Sequence, residues 1–337
     1  PADIQDAGLA YSAFVDNDAL IITATTADKG KIVCRRDDDK IIGKSLSDGF
    51  YTFVLSDFNK NVSVSLDIWR PYVVFGDSEF EAYCLERYDE DGDGKVSREE
   101  AGKVTEMDFG ANSFASISGI GDFPSLSTLD FGTGTVPPAL NLTENTSLKV
   151  INMGESGCSH LEDFNYIDTA SPKVSTRLSI GQMLKVNDVE AVVCIVGVDD
   201  ISGTTKVLAT QSDSTSWWSG NHAYCNAKDK DGMVNTDKML NAERVDKIAS
   251  AARMARSFGP MWYLPSLDEF EVFYRDTLKN KAVFSKISGL NLNHWAWTST
   301  EYSIAEAYYI SIEEPEKENY HATKNSNALS VIAMKKL

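Results

Sequence analysis

The chain has 337 residues, 42% of them hydrophobic, with a formal net charge of -18 and a pI near 4.6. That length accommodates roughly two to four domains, each able to bury a core. The acidic balance disfavours nucleic acid and anionic membrane surfaces, which reward basic patches, and no apolar run approaches the ~20 residues of a membrane-spanning helix. Cys34, Cys84, Cys158, Cys194 and Cys225 are odd in number and lack C-x-x-C spacing. They read as buried free thiols rather than a disulfide framework or a zinc site.

Residues 1–74 alternate at period two in "DNDALIITATT", "GKIVCRR", "YTFVLSD" and "NVSVSLDIW". The turn signals "DKG", "SDG" and "DFNKN" separate these runs, which predicts a small β-sandwich of the immunoglobulin-like type. Pro71 and Gly76 mark the change to the next segment, 75–103.

There "DEDGDGKVSREE", residues 89–100, fits the calcium-loop pattern D-x-[DN]-x-[DN]-G-x5-E. Asp89, Asp91 and Asp93 fill positions one, three and five, and Gly94 allows the sharp turn at six. Lys95 contributes its backbone carbonyl at seven, Ser97 acts through a water at nine, and Glu100 closes the loop with a bidentate carboxylate. That glutamate favours Ca2+ over the smaller, stricter Mg2+. The S-x-x-E capping boxes at Ser78/Glu81 and Ser97/Glu100 predict a helix on each side, with Phe80, Cys84 and Tyr88 at helical spacing. The segment reads as a single EF-hand. With no second loop to pair with, its metal has a structural role.

A repeat follows. "VTEMDFGANSF" at Val104, "LSTLDFGTGTV" at Leu126 and "LKVINMGESGC" at Leu148 recur at a period of 22. Val104, Leu126 and Leu148 align, as do Met107, Leu129 and Ile151, then Phe109, Phe131 and Met153, then Phe114, Val136 and Cys158. This matches L-x-x-L-x-L-x-x-N-x-L, with Asn112 at the asparagine position and Gly134 and Ser156 replacing it later. A short leucine-rich-repeat solenoid is predicted over 104–170, capped by the helices of the calcium loop. Asn141-Leu142-Thr143 and Asn145-Thr146-Ser147 match the N-glycosylation acceptor within it. "DTASPKVS", 168–175, predicts a linker and hinge.

The remaining segment, 171–337, mixes strands such as "DVEAVVCIVGVDD" and "GTTKVLATQ" with helices. One helix is predicted over Asn241 to Phe258, with Val245, Ile248, Ala252 and Ala255 on one face. A capping box at Ser266/Glu269 opens another, striped by Leu267, Phe270, Phe273, Tyr274 and Leu278. The motifs "DGMVNT" (231–236), "WYLPSLDEF" (262–270) and "WTSTE" (297–301), with a late Lys324 and a terminal strand, resemble the C-type-lectin-like domain family that also contains the formylglycine-generating enzyme fold. More closely, they resemble a subfamily common in surface lipoproteins of gut Gram-negative bacteria and in a collagen-like bacterial adhesin. The resemblance covers about residues 178 to 337. It implies an α+β lectin-like domain, a binding activity, and an extracellular place on the outer-membrane surface, with signal and lipid anchor outside these residues. Cys194 and Cys225 fall on no motif of the family's oxidase chemistry.

The expected fold class is therefore multidomain α+β: a β-sandwich (1–74), an EF-hand (75–103), leucine-rich repeats (104–170) and a C-type-lectin-like domain (171–337). For the ligand, Trp217, Trp218, His222, Tyr224 and Asn226 mix aromatic faces with amide and imidazole donors. Such a mix stacks on a sugar ring and hydrogen-bonds its hydroxyls. The alternative, that one of the two tryptophans packs under its loop, stays open. "DKDGMVNTD" offers Asp229, Asp231, Asn235 and Asp237 either to a second cation or, as its missing closing glutamate favours, to a turn. His160, His222, His294 and His321 lack zincin spacing, and no nucleophile elbow, phosphate loop or dinucleotide fingerprint occurs. These features predict a monomeric, non-catalytic, calcium-stabilised cell-surface protein that captures a glycan or an extracellular protein. The alternative is a component or enzyme of an extracellular glycan-degrading assembly with a dockerin-like calcium loop.

Overall fold

The computed structural model describes residues 9–16, 19–26, 31–36, 39–42, 44–47, 50–55, 64–69, 71–153, 158–167, 172–176, 178–196, 204–220, 224–274, 283–287, 295–311, 320–325 and 329–337. It separates into two compact units, one made of 1–74 with 89–99 and the other of 75–88 with 100–337.

Among its described residues the first unit holds seven strands: β1 (Leu9–Asp16), β2 (Ala19–Thr26), β3 (Lys31–Arg36), β4 (Asp39–Ile42), β5 (Lys44–Ser47), β6 (Phe50–Leu55) and β7 (Val64–Trp69). They pair antiparallel in two sheets, ordered β1-β2-β6-β5 and β4-β3-β7. Along β2, Ile22 and Ala24 are buried while Ile21, Thr23 and Thr25 are partly exposed, as the period-two pattern requires. The acidic loop belongs to this unit. Val73 N–H donates to Val96 O (2.8 Å), Arg98 N–H donates to Pro71 O (2.9 Å), and Tyr72 bridges Ser97 antiparallel.

The second unit opens with α1 (Ser78–Tyr88). Its N-cap is Asp77 rather than the expected serine box: Oδ1 accepts from Glu79 N–H (2.8 Å) and Phe80 N–H (2.9 Å). Its apolar face packs into the first repeat. Phe80 meets Phe109 and Phe114 at 5.8 and 5.3 Å between ring centroids, and Tyr83 donates its hydroxyl to Asp108 O at 2.7 Å. The helix on the far side of the acidic loop, α2 (Arg98–Ala101), is a single turn.

The 22-residue period is realised as stacked strands. β8 (Glu106–Asp108), β9 (Thr128–Asp130), β11 (Val150–Asn152) and β13 (Lys173–Ser175) form a parallel sheet, with Met107, Leu129, Ile151 and Val174 in register. Between them β10 (Ala139–Leu142), β12 (Asp163–Tyr166) and β14 (Met183–Val186) build a second parallel ladder. Phe109, Phe131, Met153, Phe114, Val136 and Cys158 all turn inward and are buried, so the stretch is β-solenoid-like. Gly134 stands where the asparagine was lost because the next coil crosses Asn112 closely: a Cβ there would lie 1.9 Å from Asn112 O.

The second ladder does not stop at the end of the repeats. It continues antiparallel through β15 (Val189–Ile195) and β16 (Lys206–Ala209), then on to the terminal β22 (Met334–Lys336). The expected hinge at 168–175 is therefore corrected: Lys173–Ser175 is a strand hydrogen-bonded to β11, and 168–171 lie outside the described residues. A five-stranded sheet, ordered β17-β21-β18-β19-β20, comprises β17 (Asp213–Thr215), β18 (Trp295–Glu301), β19 (Glu306–Ser311), β20 (Tyr320–Thr323) and β21 (Leu329–Val331). Among the described residues, α3 (Gly232–Asn241), α4 (Ser250–Arg256) and α5 (Leu267–Tyr274) lie between β17 and β18 in sequence. Tyr263, Leu267 and Phe270 share one core with Val192, Leu208, Ile310 and Met334. The helix expected from Asn241 to Phe258 is broken, because Ser219 and Ile248 exchange both backbone hydrogen bonds (2.8 and 3.2 Å) and leave Val245 in an exposed turn.

The expected α+β class with an EF-hand and a lectin-like domain is corrected as a whole. The described residues hold twenty-two strands against five α-helices, a mostly β chain with a β-solenoid-like stretch. The helix–loop–helix fails for a simple reason. Val104 and Met107 already belong to the first coil, so the chain must extend from Glu106 and only one turn of α2 remains. No helix among the described residues is long and apolar enough to cross a membrane.

Candidate functional site

The acidic loop gathers ligand atoms. Carboxylate oxygens of Asp89, Asp91 and Asp93 lie within 4.8 Å of one another. Backbone N–H groups hold each one in place: Asp89 accepts from Gly92 (2.8 Å) and Gly94 (2.9 Å), Asp91 from Asp93 (3.0 Å), and Asp93 from Lys95 (2.8 Å). Gly94 sits at φ 81°, left-handed backbone that a side chain would strain. Three unneutralised carboxylates this close repel one another, and a set of oxygen donors alone fits a hard divalent cation. The Lys95 ammonium turns away onto the Tyr72 ring, 4.4 Å from its centroid. Glu100, at the twelfth position, is buried within the second unit.

The expected ligand set is divided by the structure. Trp217 and Trp218 are fully buried, so the exposed patch expected of them is corrected. Trp217 Nε1–H donates to Thr298 O (2.7 Å), and Lys324 Nζ sits 4.7 Å from the ring centroid. Tyr224 and Asn226 are exposed, and the Tyr224 hydroxyl donates to Asn226 Oδ1 at 3.1 Å. His222 lies outside the described residues, as does His294.

No family model, no curated protein and no solved structure matches this chain. The three sequence motifs nevertheless converge on one buried polar network. Glu269 is 4% exposed and accepts from Tyr263 Oη (2.8 Å), Ser266 N–H (3.0 Å) and Gly232 N–H (3.1 Å), and it pairs with Lys206 at 2.9 Å. The Ser266/Glu269 capping box forms as expected, with Ser266 Oγ accepting from Glu269 N–H (3.0 Å). Asn235 Nδ2 donates to Asp229 O (2.7 Å) and to Ser299 Oγ (3.3 Å), joining the first motif to the third. Glu301, closing the third motif, pairs with Lys324, and both side chains are sealed from solvent. Its carboxylate also accepts from Cys225 N–H (3.3 Å) and Asn226 N–H (2.9 Å). Burial holds the Tyr263 phenol well above its ordinary range and pushes the Cys225 thiol up to about 12.

Residues 229–237 are occupied with structure. Asp231 N-caps α3 through Met233 N–H (2.9 Å) and pairs with Lys336, Asp237 pairs with Arg256, and Asn235 closes the turn onto Asp229. Sequence reasoning missed the ring cluster of Tyr302, Tyr308 and His321, in which Tyr302 and His321 are exposed and Tyr308 is half-buried against the core. Tyr302 and His321 stack at 3.9 Å between centroids with 6° between planes. Its members come from three separate segments, and no local period marks them.

Proposed function

We propose that this chain is a non-catalytic binding protein whose Asp89–Asp91–Asp93 loop holds a structural calcium ion. The observation that carries the reading is the convergence of three aspartate carboxylates, each oriented by backbone N–H groups and drawn together without a counter-charge from Lys95. Support for binding rather than catalysis comes from the buried ionisable groups. Glu269 and Glu301 are each satisfied by a lysine and by backbone donors, which is how a structural ion pair is built. The motif resemblance to surface proteins supports display outside the cell, where millimolar calcium suits a loop of modest affinity, roughly 10⁻⁴ to 10⁻³ M.

The test is thermal unfolding of residues 1–337 in calcium and in EGTA. At about 10 mM calcium, roughly 100 times a Kd near 10⁻⁴ M, the ion adds up to about 2.7 kcal/mol. Asp89→Ala and Asp93→Ala abolish that difference. Identical melting of the wild type in both buffers overturns the calcium reading.

A further inference from the structure

Strand β1 is the outer strand of its sheet, in the order β1-β2-β6-β5. Among the described residues no strand pairs with its far side, so its outward N–H and C=O groups form an open edge. Such edges are ordinarily blunted by shortness, charge, proline or a bulge. The opposite edge of the same sheet is blunted: β5 has four residues, starts on Lys44, and slips in register between Ser45 and Ser47. So is β4, also four residues, which opens on Asp39 and Lys40. β1 has none of these protections. It pairs with β2 over all eight residues without a register shift, holds no proline or lysine, and reaches its one charge at Asp16, its last residue.

The centre of β1, Ala10 to Phe14, is exposed at every position and therefore on both faces of the strand. Two of the five are rings, Tyr11 at 43% and Phe14 at 54%. Their order is self-complementary. Two antiparallel copies of one strand, related by a two-fold axis normal to the sheet, pair residues whose numbers share a parity. With the axis at Ser12, Tyr11 lies opposite the partner's Ala13 and Phe14 opposite the partner's Ala10. Each ring then covers a methyl group, and Ser12 meets the partner's Ser12. Tyr11 also reaches the partner's Tyr11 on the diagonal. Charge permits the approach. Residues 1–74 hold eight lysines and arginines against eleven aspartates, a net of -3 out of the chain's -18, so most of the repulsion belongs to 75–337.

We infer that β1 pairs with β1 of a second copy of this chain, centred on Ser12, and joins two four-stranded sheets into one. Neither the calcium loop nor the binding reading is needed for this. The paired edge is small, in the class below about 1,200 Å² of buried surface, so the dimer dissociates on dilution.

Sedimentation velocity of residues 1–337 from about 5 to 200 µM tests this, at low and high salt. The dimer fraction rises with concentration, and rises further in salt, which screens the acidic chains from each other and leaves the apolar pairing intact. Ser12→Lys sets two ammonium groups opposite each other at the axis and weakens dimerisation about tenfold, while melting as the wild type does. Phe14→Ser, which removes a ring on each side of the axis, weakens it similarly and serves should Ser12→Lys fail to fold. The register has its own readout. Ser12→Cys forms an intermolecular disulfide under mild oxidation, because the two sulfurs face each other, whereas Ala10→Cys lies opposite position 14 and does not. A wild type that stays monomeric throughout the range overturns the inference. So does a dimer that tolerates both Ser12→Lys and Phe14→Ser, and so does cross-linking at position 10 in preference to 12.

Discussion

Asp77 accepts four backbone N–H groups, two that begin α1 and two more from Ala115 (3.1 Å) and Ser116 (3.2 Å). These donors, foremost that of Phe80, hold its carboxyl below the ordinary 3.8. Because the folded pKa is lowered, Asp77 contributes stability above the ordinary carboxylate value and loses it as pH falls through the lowered one. Asp77→Ala is expected to cost about 1 kcal/mol at neutral pH, with the deficit shrinking in acid; urea titration at neutral and acidic pH checks both. The Cys225 thiol shows the opposite sign. Burial raises it from 9.0 to about 12, so its contribution is complete below pH 9 and is lost as pH climbs toward 12. Cys84, Cys158, Cys194 and Cys225 are all buried free thiols. Native protein treated with iodoacetamide at pH 8 should leave these four unmodified, and mass spectrometry reads the result. Lys324→Met strands the Glu301 carboxylate in the core and is expected to destabilise by about 3–5 kcal/mol in equilibrium urea unfolding.

At the level of elements, the solenoid-like stretch was the most legible part of the chain. A period of 22 fixes which residues stack, and Met107, Leu129 and Ile151 do stack in adjacent parallel strands. The close passage of coils is not legible from period alone. Gly134 departs from the repeat pattern because Asn112 O leaves no room for a Cβ. Gly134→Ala should therefore cost about 1–3 kcal/mol in thermal or urea unfolding. Helices were the least reliable elements. The serine box before α1 lost to Asp77, one position earlier, whose side chain reaches two donors. The helix through 241–258 lost its centre to the Ser219–Ile248 bridge. In both places a partner distant in sequence, or a stronger local donor set, outbid the 3.6-residue period.

At the level of the whole molecule, the six-stranded sheet joins the solenoid-like stretch to the C-terminal strands through β12, β14 and β15. A fragment of residues 176–337 loses the partner of β14 and uncovers an apolar ladder edge around Leu184 and Val186. It is expected to melt without cooperativity by circular dichroism, whereas residues 75–337 melt in one sharp transition. A cooperative transition of the short fragment would separate the two parts again. Asn145 makes a related point. It sits in a glycosylation sequence, yet it is 1% exposed and its Nδ2 donates to Ile120 O and Phe123 O, so the folded chain closes it to modification.

By itself the sequence determined the spacing of the aspartates, the 22-residue period, the strands of the first unit and the three C-terminal motifs, because each is carried by neighbours in the chain. The candidate site was legible in the same proportion. Asp89, Asp91 and Asp93 were readable from spacing, and Tyr224 and Asn226 from composition. The burial of Trp217 and Trp218 was not. Their serine-rich neighbours look exposed, yet Trp217 is met by Lys324 and Thr298, 107 and 81 positions away. The tertiary structure alone decided that Glu269 pairs with Lys206, that Glu301 pairs with Lys324, and that Tyr302 stacks on His321. It also decided that the repeat sheet runs on into the C-terminal strands. Each of those outcomes depends on pairing between distant strands, which local propensity does not encode.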